Sequence, residues 1–223
     1  MDLAIFDLDH TLIACDSEVR WIDFLYARGL LDNDFLNQRD ELSRQYTDGS
    51  VDADEFVRFQ LSSLSPFPRH MLDALYPEYL HSQILPAIYA EGRDLVAHHC
   101  QRGDTLLLLS ATNEFLITPI GHELGITHII GVVPEQNNTG DFSGGFVGTP
   151  SFREGKIVRL QAWLAERGQT QADFNAIHFY SDSINDLPLL KAVSHPYAIN
   201  PDARLLAEAQ AHGWPVRYFH APA

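Results

Sequence analysis

Apolar positions along the chain follow two rhythms. Leu3 to Phe6 is a short unbroken apolar run that ends at Asp7, the mark of a buried strand leading into a loop. The rhythm then turns helical. Asp16 or Ser17 can cap a helix running to Arg28, with Gly29 as its stop; Trp21, Phe24 and Leu25 fall at i, i+3 and i+4 on one face. A second helix is expected from Asp34 to Tyr46, stopping near Gly49, and a third from near Asp52, ended by Pro66 and Pro68. A fourth is expected from Arg69 to Leu80.

The pattern changes near Pro86. A helix over Ala87 to Cys100 leads through Gly103 into Thr105–Ser110, whose four consecutive leucines predict a strand covered on both faces, as in a parallel sheet. Glu114 to Leu124 predicts a helix stopped by Gly125, His128 to Val133 a strand, and the glycine-rich Phe142 to Val147 a hairpin. Gly155 to Arg167 (helix), Ala176 to Tyr180 (strand), Leu187 to Val193 (helix), Tyr197 to Ile199 (strand), Asp202 to His212 (helix) and Val216 to Phe219 (strand) complete the alternation. Alternating β and α argues for a doubly wound, mainly parallel α/β sheet with helices on both faces. The early helices interrupt that sheet after its first strand, so residues 1–14 and 86–223 are expected to form the core and residues 15–85 a small helical cap.

Composition narrows the function. A chain of 223 residues, 45% hydrophobic and 20% charged, can bury a real core. The net charge of −15 repels nucleic-acid phosphates and argues against DNA or RNA as partner. It also repels small anionic substrates unless a metal ion or a few placed cations offset it locally. The apolar runs are too short to span a bilayer, and Asp2 and Asp7 interrupt the N-terminus where a secretory signal would be apolar. With two cysteines, Cys15 and Cys100, in no metal or disulfide spacing, the expected setting is the reducing cytoplasm, with no membrane and no obligate protein partner.

In open parallel sheets, ligands bind beyond the carboxyl ends of the strands. Asp7, Asp9 and Thr11 follow the first predicted strand. Ser110, Ala111 and Thr112 follow the second, and Asp182, Asn185 and Asp186 follow the strand ending at Tyr180; Lys156 opens the helix before that strand. Each Asp alone could be a turn or helix cap. Four carboxylates at one edge repel one another unless a cation holds them, and Mg²⁺ suits a few carboxylates with water and phosphate oxygens.

Asp7-Leu8-Asp9-His10-Thr11 resembles the DxDxT signature of haloacid dehalogenase-like phosphatases. Ser110 is similar to that family's second motif, Lys156 to its third, and Asp182-Ser183-Ile184-Asn185-Asp186 to its acidic fourth, in the same order. The helical insertion resembles the cap of the phosphoserine phosphatase-like branch. The resemblance implies that Asp7 is the nucleophile forming an aspartyl-phosphate and Asp9 the general acid, then base. Ser110 would donate to a phosphoryl oxygen, and Lys156 would neutralise charge on Asp7 and the phosphoryl group. Mg²⁺ would sit among the Asp7 side chain, the Asp9 carbonyl, Asp182 and Asp186. Asn185 would order the loop or touch phosphate, and Ala111 would lie beside Ser110 against the substrate. Thr11 would shape the loop or orient Asp9.

The leaving group is less constrained. Phosphoserine phosphatases bind the substrate amine with an acid nine positions after the nucleophile, which here is Asp16, and the substrate carboxylate with a cap Arg, for which Arg58 is the candidate. Asp16 can equally be a helix cap and Arg58 a solvated charge. Where that family has Ser-Gly-Gly, this chain has Ser110-Ala111-Thr112, which narrows backbone freedom and weakens the match to phosphoserine. Among Trp21, Phe24, Tyr26, Phe56 and Phe59, one or two can face the site and suit a flatter leaving group. Asp182–Leu190 and His195–Pro201 resemble bacterial histidinol-phosphate phosphatases, whose substrate offers an amine for Asp16 and an imidazole for an aromatic wall. A small phosphorylated metabolite, histidinol phosphate ahead of phosphoserine, is the expected substrate. A phosphotransferase or mutase using the same aspartyl-phosphate, and a non-catalytic phospho-ligand binder, are the alternatives. Arg153 is a further candidate phosphate contact. His98-His99-Cys100 face different directions on a helix and are not expected to bind metal, and acidic neighbours make Cys15 a poor thiolate.

Overall fold

The computed structural model describes residues 1–48 and 52–222, so the expected stop at Gly49 lies outside the described residues. Strand β1 (Leu3–Phe6) is followed by helices α1 (Ser17–Ala27), α2 (Asn33–Asp48), α3 (Ala53–Leu61) and α4 (Arg69–Tyr79), and only then by α5 (Ala90–Gln101) and β2 (Thr105–Asn113). The alternation continues with α6 (Glu114–Glu123), β3 (His128–Gln136), β4 (Phe142–Val147), α7 (Glu154–Glu166), β5 (Ile177–Ser181), α8 (Leu187–Ala192), β6 (His195–Ile199), α9 (Ala203–His212) and β7 (Val216–Arg217). The strands form one sheet in the order β4-β3-β2-β1-β5-β6-β7. All neighbours are parallel except β3 and β4.

The register shows why the apolar runs are continuous. Leu3 to Phe6 pair with Thr105 to Leu108 on one side and Ile177 to Tyr180 on the other, so both faces of β1 are covered. Leu3, Ile5, Leu107, Leu109 and Phe179 point to one layer with Leu160 and Leu164 of α7, Leu189 and Leu190 of α8 and Leu205 of α9. Ala4, Phe6, Leu106, Leu108 and Tyr180 point to the other. That second layer runs without a break into Trp21 and Phe24 of α1 and Leu72, Tyr76 and Tyr79 of α4, so the inserted helices share the sheet's core.

The helix ends follow the side chains available. Asp16 caps α1 by accepting from Val19 N–H at 2.8 Å, and Asp52 caps α3 through Asp54 and Glu55 N–H. The helix expected from Ala87 starts three residues later, because Leu85–Ala87, with Pro86 inside it, closes a 3₁₀ turn and Tyr89 becomes the extended residue ahead of α5. β2 runs three residues past Ser110, with a register shift between Leu109 and Asn113. Phe142–Val147 is one strand, not a hairpin of its own; it folds back antiparallel on β3.

Candidate active site

The carboxyl ends of β1, β2 and β5 open onto a cavity of about 450 Å³. Its walls bring together Asp7, Asp9, Asp16, Ser110, Ala111, Lys156, Asp182, Asn185 and Asp186 with Val19, Phe56 and Gln60 of the inserted helices. Asp7 N–H donates to Tyr180 carbonyl at 2.9 Å, extending the β1–β5 ladder by one bond and fixing where its carboxylate emerges. His10 then takes a positive φ of 56°, which turns the chain back, and Asn200 Nδ2 holds that turn by donating to the His10 carbonyl at 3.1 Å.

Lys156 is almost wholly buried, and its Nζ donates to Asp7 Oδ1 at 2.8 Å and to Asp186 Oδ2 at 2.7 Å. It sits in the first turn of α7, and the approach is close: a Cβ on the preceding Gly155 would stand 2.0 Å from the Pro150 carbonyl oxygen, so only glycine fits there. Burial alone would lower the Lys156 pKa, but Asp186 and Asp7 outweigh it and raise it, so the group stays charged. Ser181, at the end of β5, donates its hydroxyl to the same Asp186 oxygen at 2.7 Å. Asp186 Oδ2 is thereby committed to anchoring Lys156.

One lysine does not balance the remaining carboxylates. Asp7 is pushed up to about 6 by burial and by Asp186, against the pull of Lys156. Asp9 is pushed up to about 7 by burial, Asp16 and Asp7. Asp182 lies well above the usual carboxylate range through burial and the neighbouring Asp7 and Asp186. Thr11 does not reach Asp9; its buried hydroxyl stands 3.4 Å from both Asp7 Oδ2 and Asp182 Oδ1, between the two carboxylates. Hard oxygen donors with too little positive charge among them are what a divalent cation such as Mg²⁺ satisfies. Among the described residues no three acidic, His or Cys side chains form a finished metal cage, and Mg²⁺ needs only one or two carboxylates beside waters and phosphate oxygens.

Asp9 is held differently. Its Oδ1 accepts Ser17 N–H at 2.7 Å and its Oδ2 accepts the Thr112 hydroxyl at 2.7 Å. Ser110 Oγ accepts Thr112 N–H at 3.1 Å, and Ser151 Oγ donates to the Ser110 carbonyl at 2.6 Å. Asp16 caps α1 through one oxygen and also lines the cavity.

Arg58 is not brought into the site. It is exposed on α3, with its guanidinium 4.9 Å over the Phe146 ring of β4, and it is absent from the cavity wall. Phe56 and Gln60, on the same helix, are in that wall. Arg153 also stays outside the wall but donates from Nε to Asn185 Oδ1 at 3.3 Å. Cys15 is pushed up to about 12 by burial and Asp9, so it is no thiolate. Thr112 was named in the sequence only by its place after the second strand and as a departure from Ser-Gly-Gly, and given no role of its own, and Ser181 and Glu18 were passed over. Glu18 is buried behind the site, accepts Asn113 Nδ2 at 3.1 Å, and lies well above its usual range through burial, Asp16 and Asp9. Ser181 follows the apolar part of its strand as Ser110 follows the four leucines of β2, a signal that was there to use.

The chain is 46% identical to a histidinol-phosphatase of Neisseria meningitidis, over 98% of this chain and 99% of that one. It is 32% identical to a phosphoserine phosphatase of Mycobacterium tuberculosis, over 97% of this chain and 70% of that one. A crystal structure of a protein of unknown function from Bordetella pertussis superposes with a TM-score of 0.92 at 41% identity, covering 97% of each chain. A phosphoserine phosphatase captured as a phospho-aspartyl intermediate analogue shares the fold, with a TM-score of 0.69 at 15% identity. The sequence profile of the haloacid dehalogenase-like hydrolases matches residues 4–191, and the chain belongs to that family.

Proposed function

We propose that this chain is a Mg²⁺-dependent phosphomonoesterase that hydrolyses histidinol phosphate through an aspartyl-phosphate on Asp7. The phosphatase class rests on family membership and on the full-length likeness to the Neisseria enzyme. The choice of leaving group rests on one observation: among the described residues lining the cavity, Lys156 is the one Lys or Arg, and it is already bonded to Asp7 and Asp186. A phosphoserine carboxylate would meet no Lys or Arg in that wall beyond the already paired Lys156, and Arg58 faces Phe146 instead. Histidinol phosphate carries no carboxylate. Its amine suits Asp16, and its imidazole suits the Phe56 ring and the Gln60 amide. The likeness to a phosphoserine phosphatase keeps that ester as the second reading.

On this reading an Asp7 carboxylate oxygen attacks phosphorus, Asp9 protonates the departing alkoxide, and Asp9 then takes a proton from the water that cleaves the aspartyl-phosphate. Ser110 donates to a phosphoryl oxygen, and Lys156 holds Asp7 in place and offsets its charge. Asp7, Asp182, the Asp9 carbonyl and the free oxygen of Asp186 would hold Mg²⁺, which when bound draws charge from the transferring phosphoryl group. The inserted helices act as the cap that selects the leaving group. No helix among the described residues is long and apolar enough to cross a membrane, and both cysteines are free, which supports a reducing cytoplasm as its place.

The test is phosphate release with Mg²⁺ from histidinol phosphate and from phosphoserine, with a chelator control. A kcat/KM at least about a hundredfold higher for histidinol phosphate is expected, since an unmatched buried polar or charged group costs on that scale. A preference for phosphoserine would overturn the substrate, and release insensitive to chelator would overturn the metal.

A further inference from the structure

The general acid in this site has two oxygens with unlike partners. Asp9 Oδ1 accepts a backbone N–H from Ser17, which can only donate. Asp9 Oδ2 faces the Thr112 hydroxyl at 2.7 Å, which can donate or accept. An acid proton on Oδ1 would be driven against the Ser17 N–H, whereas on Oδ2 it points at a lone pair of Thr112. Thr112 is also well placed to stay put. It lies in β2, 5% exposed, and its branched Cβ restricts χ1. β3 closes on it so tightly that a Cβ at Gly131 would stand 2.6 Å from the Thr112 carbonyl oxygen. Its N–H meanwhile donates to Ser110 Oγ. One residue therefore ties the proposed phosphoryl-binding hydroxyl to the proposed acid. In the Ser-Gly-Gly form of this motif, the same position has no side chain to do so.

We propose that Thr112 is the positioning residue for Asp9, directing the transferable proton to Oδ2 and that oxygen toward the leaving group; this rests on Asp9 being the general acid. When Asp7 attacks, its new bond to phosphorus forms as the bond to the ester oxygen breaks. The bonding pair goes to the ester oxygen, which takes the proton from Asp9 Oδ2 and departs as a neutral alcohol. Asp9 is left ionised, and the Thr112 hydroxyl rotates from accepting at Oδ2 to donating to it. When water attacks the aspartyl-phosphate, its oxygen bonds to phosphorus as the bond from phosphorus to the Asp7 oxygen breaks and its pair returns to the Asp7 carboxylate; Oδ2 receives the water's proton and the hydroxyl rotates back.

Acid help matters for an alkyl ester and hardly for an aryl ester whose leaving group departs as a stable phenolate. The test is kcat/KM, which reports the first phosphoryl transfer, for histidinol phosphate and for 4-nitrophenyl phosphate in Thr112→Val, Thr112→Ser and Asp9→Asn proteins of verified Tm. Thr112→Val keeps shape and N–H but lacks the hydroxyl. It is expected to lose about tenfold to a hundredfold on histidinol phosphate, part of what a placed acid contributes, with a loss at least about tenfold smaller on the aryl ester. Thr112→Ser should restore most of the alkyl rate. Equal losses on both esters, or none on either, overturn the proposal. Asp9→Asn separates the two readings: if it shows the alkyl-selective loss and Thr112→Val does not, Thr112 alone is misassigned. If Asp9→Asn shows no selective loss, the reading of Asp9 as acid falls and the proposal with it.

Discussion

The two ends of the sheet carry similar chemistry in opposite electrical condition. At the carboxyl ends of the strands, Asp7, Asp9 and Asp182 are all pushed upward, first by burial and then by neighbouring carboxylates. At the amino ends, Asp2 and Asp104 are also carboxylates shielded from water, yet both are lowered. Burial works against ionisation there too. Asp104 outweighs it by accepting from His99 Nδ1 (2.9 Å), Asp2 N–H (3.1 Å) and Arg102 Nε (3.1 Å). Asp2 outweighs it by facing His178 Nε2 at 3.3 Å and Arg102 at 3.0 Å. Both Asp104 oxygens and Asp2 Oδ2 have donors, two of them from Arg102, and the cluster fastens β1, β2 and α5 together. The cavity end keeps its negative charges under-compensated, which is the condition for drawing in a cation, and that cation would then offset the repulsion of an anionic phosphoryl group. Carboxylates alone therefore do not mark a site; carboxylates short of compensating positive charge do.

The largest break in that comparison is Asp7→Asn. Removing the proposed nucleophile is expected to lower kcat by at least about a thousandfold while Tm does not fall, because Asn keeps an oxygen for Lys156 and removes a charge that burial disfavours. Near-normal turnover, or an unfolded protein, would contradict the picture of an active end that carries strain and not stability.

Asp104→Ala should do the reverse. With the Asp104 side chain 3% exposed, its loss leaves three donors without an acceptor, and a cost of about 2–4 kcal/mol is expected by urea titration. kcat/KM on histidinol phosphate should stay within about twofold, since the residue is remote from the cavity wall. A larger catalytic than structural effect would mean the two ends are coupled.

Mg²⁺ sharpens the comparison further. An ion bound only by the native state at a hundred times its Kd adds about 2.7 kcal/mol. Thermal shifts with added Mg²⁺ should therefore appear in the wild type and in Asp104→Ala, and largely vanish in Asp182→Asn. An equal shift in Asp182→Asn would place the ion elsewhere.

Much of the cavity end was legible because strand ends in a parallel sheet announce themselves: an apolar run, then a polar residue. Asp7, Ser110 and Asp182 all follow such runs and meet at one cavity. What escaped was decided by helix phase or by distance along the chain. Arg58 was singled out as the cap cation, but Phe56 and Gln60, four apart on α3, share the face toward the cavity, and a residue midway between them points away. That could have been read from spacing. The Thr112–Asp9 bond could not, since it spans 103 positions and depends on where two strand ends stop. The same holds for His99, which looked like part of an idle His-His-Cys run. Its ring nitrogens in fact meet Asp104 and, 81 positions away, the Tyr180 hydroxyl at 2.8 Å. The helix starting at Ala87 was misplaced by a local competition, in which Pro86 favoured a 3₁₀ turn before the helix proper.

The smallest effect is the most direct reading of the amino end's charge state. Asp104 titrates lower in the folded chain than the roughly 3.9 of an unfolded aspartate, because the donors from His99, Asp2 and Arg102 favour its ionised form. Between those two values the unfolded chain binds more protons than the folded one, so stability falls as pH falls through that window. Above it the full contribution is present. The stability gap between wild type and Asp104→Ala should therefore be flat from about pH 8 to about pH 5 and narrow below about pH 4. Urea midpoints of the two proteins at matched pH measure it. A gap that widened in acid would mean that the folded chain holds Asp104 protonated, and the contrast between the satisfied and the strained end of the sheet would be lost.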